Sequence, residues 1–398
     1  MFEINRRVTI ASILSLLAYK TYAKSANFGH RFEQIWREMD KKYCYFNENN
    51  IDWEIARQTY QPLAQQCKSE SEFLDLIDAL MRETMDSHTH IHNANEGAPR
   101  WPPYDLYVED AIGACTIQAV HEYSAAKQSG LVKGDMIMEI NDVKVYDLAR
   151  KLKPKSLTKN KQIALNYLLN LAVAGNKGQE RKIKYLTEKN EIKIVNLPLY
   201  KGGFPPDFES KMLEQNIGYI AIRTFGDNAN IVEQFDEALA KFKDAKALII
   251  DVRYNGGGDT AIARPIMGRF IKETKPYAQM AKRKGKGLGE KWTEYVEPRG
   301  PFTFENPVVI LCNHWSASMA EGFPMGMRAI CGAKVMGTMM MGLGAAVYSS
   351  KAGGMDFQYS AEPVYNIHGR PRNYFMPDIM LDDTDDYIMA AQKKLFNI

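Results

Sequence analysis

The residues Asn313–Gly322, "NHWSASMAEG", follow an apolar run, "PVVILC" (Pro307–Cys312), with the texture of a buried strand. A strand that gives way to small residues and then to a helix exposes a side chain at the turn. The first N–H groups of such a helix lack intrahelical acceptors, so they can stabilise an oxyanion formed there. Ser316 and Ser318 are the hydroxyls on offer. Upstream, "NGGG" (Asn255–Gly258) supplies glycines whose backbone can approach a substrate carbonyl closely. Taken alone, the first segment could simply cap a helix and the second could simply be a turn.

A base must accompany a hydroxyl nucleophile. "DSHTHIHN" (Asp86–Asn93) alternates like a strand, which would put His88, His90 and His92 on one face. Three imidazoles on one face can hold zinc or copper. The preferred reading is one histidine base with no metal and no other cofactor, because an imidazole bound to a metal cannot freely accept a proton.

The elements that must position these residues change character along the chain. Phe32, Ile35, Trp36 and Met39 recur at helical spacing, as do Phe73, Leu76, Ile77 and Leu80. Ser69 with Glu72 makes a capping box at the second of these helices. "APRWPP" (Ala98–Pro103) reads as a linker. Short strands follow in "GACTIQAV", "DMIMEIND", "ERKIKYLTE" and "IVNLPL", giving an α+β module that ends near Leu199. From Ile217 onward strands and helices alternate, the order of an α/β domain with largely parallel pairing.

Composition is that of a globular protein, with 45% hydrophobic and 25% charged residues. A net charge of +3 and no basic stripe disfavour nucleic acid as a partner. The five cysteines are scattered and form neither a disulfide framework nor a zinc ribbon. "MFEINRR" followed by "VTIASILSLLAY" has the charge and short apolar run of an export signal, with small residues near Ala23 as a cleavage site. Arg6-Arg7 would make it a twin-arginine signal. The expected destination is the periplasm or the exterior, with no stable membrane insertion after cleavage.

Four motifs in order give the chain a family resemblance. "ALIIDVRYNGGGDT" and "PVVILCNHWSASMAEG" resemble the tail-specific, or C-terminal processing, serine peptidases, a family that includes tricorn-type enzymes. "DSHTHI" is similar to the segment that ends that family's N-terminal helical region, and "MPDIML" (Met376–Leu381) to its Pro-Asp close. "SAAKQSGLVKGDMIMEINDVKV" is similar to its embedded PDZ domain. The resemblance implies a multidomain α/β protein. Residues 1–23 are an export signal, 24–100 a helical region, 101–200 a PDZ-like α+β domain, and 201–398 a crotonase/ClpP-like α/β catalytic domain.

The resemblance also implies roles. Ser318 is the nucleophile, and the Met319 and Gly257 N–H groups form the oxyanion hole, with Gly256 the next choice. Many relatives place a lysine base at the position of Leu343, and no lysine lies between Lys334 and Lys351. The tricorn branch instead implies His88 as base with Ser87 helping to orient it. A glutamate of that branch has no counterpart in "GRPRNYFMPD", so Glu321 or Asp86 stands as its substitute. The implied partner is a peptide or unfolded protein. The PDZ-like domain would receive it through the N–H groups of "DAIGA" (Asp110–Ala114), taking a peptide terminus as an added strand. The alternative is a weakly active or inactive relative that only binds peptides.

Overall fold

A computed structural model of the chain describes residues 28–159 and 162–396. The expected export signal lies outside the described residues. No helix among the described residues is long and apolar enough to cross a membrane.

Three helices open the described chain: α1 (Phe28–Lys42), α2 (Trp53–Gln66) and α3 (Glu70–Arg82). The apolar stripe of α1 buries Phe32, Ile35, Trp36 and Met39, as its spacing requires. Ser69 caps α3 by accepting the Glu72 N–H, but the Glu72 carboxylate accepts from Lys68 N–H, one residue short of the expected box. Asp52 caps α2, a helix the periodicity did not resolve.

The segment after α3 departs from expectation. Only His90–Ile91 is strand (β1); Asp86–Thr89 is a turn closed by Thr89 N–H to Asp86 O at 3.0 Å. The three histidines therefore do not alternate along one strand. Among the described residues no histidine, cysteine, aspartate or glutamate group is arranged to hold a metal.

The middle module carries β2 (Leu106–Ala111), β3 (Ala114–Val120), short α4 (Ala125–Gln128), β4 (Met136–Ile140), β5 (Val143–Lys144), α5 (Val145–Lys151), α6 (Gln162–Ala174), β6 (Arg181–Leu186) and β7 (Ile192–Leu197). Its sheet runs β2-β3-β4-β6-β7, with β5 on β4. Alternation in β3 and β6 sends Cys115, Ile117 and Ile183 into the core beneath α6. Asn170 of α6 receives the Val108 N–H and donates to the Val108 carbonyl, and Asn166 receives the Asp110 N–H. The edge of β2 is thus already paired. "DAIGA" is the β2–β3 hairpin, with Ala111 opposite Ala114, and not an open loop.

The last part holds β8 (Phe208–Leu213), β9 (Ile217–Ile222), α7 (Ile231–Lys241), β10 (Ala247–Asp251), α8 (Thr260–Met267), β11 (Lys275–Met280), the hairpin β12 (Arg283–Lys284) and β13 (Gly287–Leu288), β14 (Trp292–Val296), β15 (Val308–Cys312), α9 (Met319–Cys331), β16 (Lys334–Gly337), β17 (Ala345–Ala352), β18 (Met355–Tyr365), β19 (Ile379–Met380) and α10 (Tyr387–Phe396). One sheet is ordered β19-β16-β15-β10-β9-β8 and is parallel except for β8. Strands β9, β10 and β15 are buried along their whole length, as continuous apolar runs in a two-sided parallel sheet should be.

A second, antiparallel sheet was not legible in the pattern. It links β14, β11, β18 and β17, and β1 of the helical region joins it by pairing His90 with Gln358 and Ile91 with Phe357. Through β1 the N-terminal histidine segment becomes part of the C-terminal fold.

Candidate active site

Strand β15 delivers the chain to the "NHWSAS" turn, and α9 begins at Met319. The two serines have different fates. Ser316 is fully buried; its hydroxyl donates to the Val252 carbonyl at 2.8 Å and accepts the Asn313 N–H at 3.0 Å. It ties the two strand ends together. Ser318 is half-buried and sits at φ 55°, ψ −113°. A non-glycine residue held there is strained, and such strain persists only where surrounding contacts over-determine it.

Those contacts are visible. The Ser318 N–H donates to Glu321 Oε1 at 2.9 Å. The Glu321 carboxylate also accepts the Gly342 and Leu343 N–H groups at 3.1 and 2.8 Å. Burial pushes the Glu321 carboxyl up, opposed by Arg372 and by these three N–H donors. Arg372 is itself buried and donates to the Leu343 and Ala345 carbonyls. Leu343 thus lies in a loop fixed by its backbone, where its side chain can accept no proton. Arg372 was missed in the sequence; "RPRNY" offered an arginine but no sign that it would be buried.

The glycine loop meets the turn from the other side. A Cβ on Gly257 would lie 2.8 Å from the Ala317 oxygen and the Ser318 Cβ, and 3.1 Å from the Met319 nitrogen. Gly257 also has φ +100°, so both its space and its backbone demand glycine. Its N–H donates to Asn255 Oδ1 at 2.7 Å. Among the described residues, no hydrogen bond engages the Met319 or Gly256 N–H.

His88 is 8% exposed, and its Nδ1 is buried without a hydrogen-bond partner among the described residues. Burial pushes its imidazole down to about 4; Asp86 counters this, while Arg372 and His90 reinforce it. Its backbone is fixed at both ends. The N–H donates to Asp86 Oδ1 at 2.9 Å and the carbonyl accepts from Gln358 of β18 at 2.9 Å. Asp86 Oδ2 accepts the hydroxyls of Thr89 and Ser360. Asp86 therefore holds the turn and makes no bond to the imidazole. Ser87 likewise spends its hydroxyl on the Pro102 carbonyl, not on His88.

The segments that carry His88 and Ser318 are linked through a chain of paired and packed elements. His88 rides on β1–β18; β18 pairs with β11, and Tyr277 of β11 lies against Gly326 of α9, the Ser318 helix. Arg372 acts electrostatically on both His88 and Glu321. The middle module also touches the nucleophile turn. His314 stacks on Tyr107 with ring centroids 4.3 Å apart, and Trp315 meets His121 at 4.9 Å.

Comparisons with known proteins bear on the family and the fold. Residues 216–381 match the model of peptidase family S41, and residues 25–82 match the tricorn protease C1 domain. The carboxy-terminal processing protease CtpB of Bacillus subtilis (strain 168) is 28% identical over 179 residues, 44% of this chain and 33% of that protein. CtpA of the same organism is 26% identical over 216 residues, covering 54% and 41%. The chain thus spans less than half the length of these curated relatives. A putative peptidase from Parabacteroides merdae shares the fold with a TM-score of 0.58 at 22% identity, covering 92% of this chain and 95% of that one. Mature CPAF gives a TM-score of 0.64 at 14% identity over 93% and 96%. The chain is a relative of the tail-specific, C-terminal processing peptidases, with a peptidase family S41 segment behind a tricorn C1 segment.

Proposed function

We propose that the chain is an exported serine peptidase that cleaves peptides or unfolded proteins through Ser318. One observation carries the reading: Ser318 alone of the two serines is strained, half-exposed and seated before an unengaged helix N–H. The Ser318 hydroxyl attacks the scissile carbonyl carbon, forming a C–O bond as its proton passes to neutral His88. The Met319 and Gly256 N–H groups receive the oxyanion, joined by Gly257 if its N–H turns from Asn255. His88 then gives its proton to the leaving amine, and water, deprotonated in the same way, hydrolyses the ester.

Glu321 supports the nucleophile by holding the Ser318 backbone N–H, and its contacts favour that role over a relay to His88. Ser87 and Asp86 support the base by fixing its turn. The export signal and a PDZ role for the middle module belong to the same proposal. The paired edge of β2 directs the search for a peptide contact in that module away from "DAIGA".

A second reading, a peptide-binding relative without turnover, is favoured by the unpartnered Nδ1 of His88 and the occupied Gly257 N–H. Hydrolysis of unfolded casein by wild type, Ser318→Ala and His88→Ala separates the two. The peptidase reading expects turnover lost in Ser318→Ala and cut roughly a hundredfold in His88→Ala. No turnover by any preparation, with casein still bound, supports the second reading.

A further inference from the structure

Strand β8 (Phe208–Leu213) ends the six-stranded sheet, and among the described residues nothing pairs with its outer edge. Both of its faces are open: Met212 is 45% exposed on one, and the Glu209 side chain 46% on the other. One bond fixes the phase of the backbone. The Arg223 N–H donates to the Asp207 carbonyl at 2.8 Å, in the register that sets Glu209 opposite Ala221 and Lys211 opposite Tyr219. Inward and outward residues alternate along an antiparallel strand. Glu209, Lys211 and Leu213 therefore bond to β9, while Phe208, Ser210 and Met212 turn their N–H and C=O groups outward. Such an edge is a template for another strand.

Charged side chains on an edge ordinarily block pairing, and Glu209 and Lys211 would do so against most strands. Their order decides which strand they admit. Let β8 meet a second β8, antiparallel, about a two-fold axis at Ser210. Glu209 then lies opposite Lys211 of the second copy, and Lys211 opposite its Glu209. Phe208 meets Met212 in the same register. These two and Ser210 are the outward residues, so each of their pairs exchanges both N–H···O bonds. The charged pairs fall at the non-hydrogen-bonded positions, where opposed side chains come closest. Moving the axis to Glu209 or to Lys211 sets like charges opposite one another, which is destabilising. Arg223 also pairs with Glu209, at 2.6 Å, and the half-exposed carboxylate has lone pairs for a second cation.

We propose that β8 is a self-recognition edge through which two copies of the chain join their sheets into one. A two-fold partner presents the same strand, so one sequence supplies both halves of the charge match. A peptide of arbitrary sequence offers no such match. The axis reverses strand direction, so the two Ser318 turns lie at opposite ends of the joined sheet. The pairing uses no residue of the candidate active site and stands apart from the peptidase reading.

The test is sedimentation equilibrium of the full chain at micromolar to submillimolar concentrations. Wild type should show a monomer–dimer equilibrium. Lys211→Glu and Glu209→Lys each set like charges opposite one another on both sides of the axis and should weaken it about tenfold or more. Both positions are exposed, so neither change threatens the fold. Mixing the two variants brings opposite charges together again and should give a heterodimer with near wild-type affinity. The double variant Glu209→Lys/Lys211→Glu should likewise pair with itself. A wild type that stays monomeric, single variants that associate like wild type, or a mixture that stays monomeric would each overturn the self-pairing. Casein binding by a monomeric wild type, lost in Lys211→Glu, would give the edge to peptides instead.

Discussion

At the scale of single residues, two serines two positions apart differ in burial and backbone strain, Ser316 buried and bonded, Ser318 half-buried and strained. Ser316 holds two buried hydrogen bonds, so Ser316→Ala should cost about 1–3 kcal/mol of stability, read as a shift in urea midpoint, while the folded fraction keeps its reactivity. The pH dependence follows from His88. A base must be neutral, and burial holds this imidazole near 4, below its ordinary 6.5. Activity should therefore persist through pH 6 and fall only toward about pH 4; a rate profile that instead falls through pH 6.5 would contradict that placement. The strand-to-helix turn that carries Ser316 and Ser318 was legible in the sequence because small residues after an apolar strand are a local signal. The surroundings of His88 were not. Ser360 and Gln358 became neighbours of the Asp86–His88 turn only through the pairing of β1 with β18, which joins residues far apart in the chain. Local alternation misled because a tight turn at Asp86–Thr89 breaks the face that "HTHIH" suggested.

At the scale of elements, two glycines of one loop do different work. A Cβ on Gly258 would fall 2.2 Å from the Phe225 carbonyl, at φ +139°, so Gly258→Ala should destabilise the fold by about 1–3 kcal/mol in chemical denaturation. A Cβ on Gly257 would instead press on Ser318 and Ala317. Gly257→Ala should lower reactivity at Ser318 by tenfold or more, measured as the rate of active-site labelling, with a smaller loss of stability. Buried parallel strands such as β9, β10 and β15 could be read from their unbroken apolar runs. The antiparallel sheet could not, because β17 is buried only at Ala345 and β18 is buried almost throughout, so neither alternates cleanly. Helix α6 escaped because its second half is buried all round and its asparagines, Asn166 and Asn170, bond to β2 instead of marking a solvent face.

At the scale of the whole molecule, the middle module packs against the turn that carries Ser318. Burial holds both seam histidines, His121 and His314, near 4. A folded pKa below the unfolded value near 6.5 means the unfolded chain binds more protons between the two. The stability from neutral burial is complete above pH 6.5 and is lost as pH falls toward 4. His314→Phe, which keeps a ring on Tyr107, should flatten the dependence of the urea midpoint on pH over that window. Tyr107→Ala should slow labelling of Ser318, because His314 loses the ring it stacks on. By contrast, the Lys133–Asp382 ion pair between the middle module and the C-terminal part is exposed, and Lys133→Ala should change stability by less than about 1 kcal/mol. The central claim, that Ser318 is an activated nucleophile, is tested most directly by fluorophosphonate labelling followed by peptide mass spectrometry. The mass increment should fall on the peptide bearing Ser318 in wild type and vanish in Ser318→Ala; labelling that persists in Ser318→Ala, or sits on another serine, would contradict it.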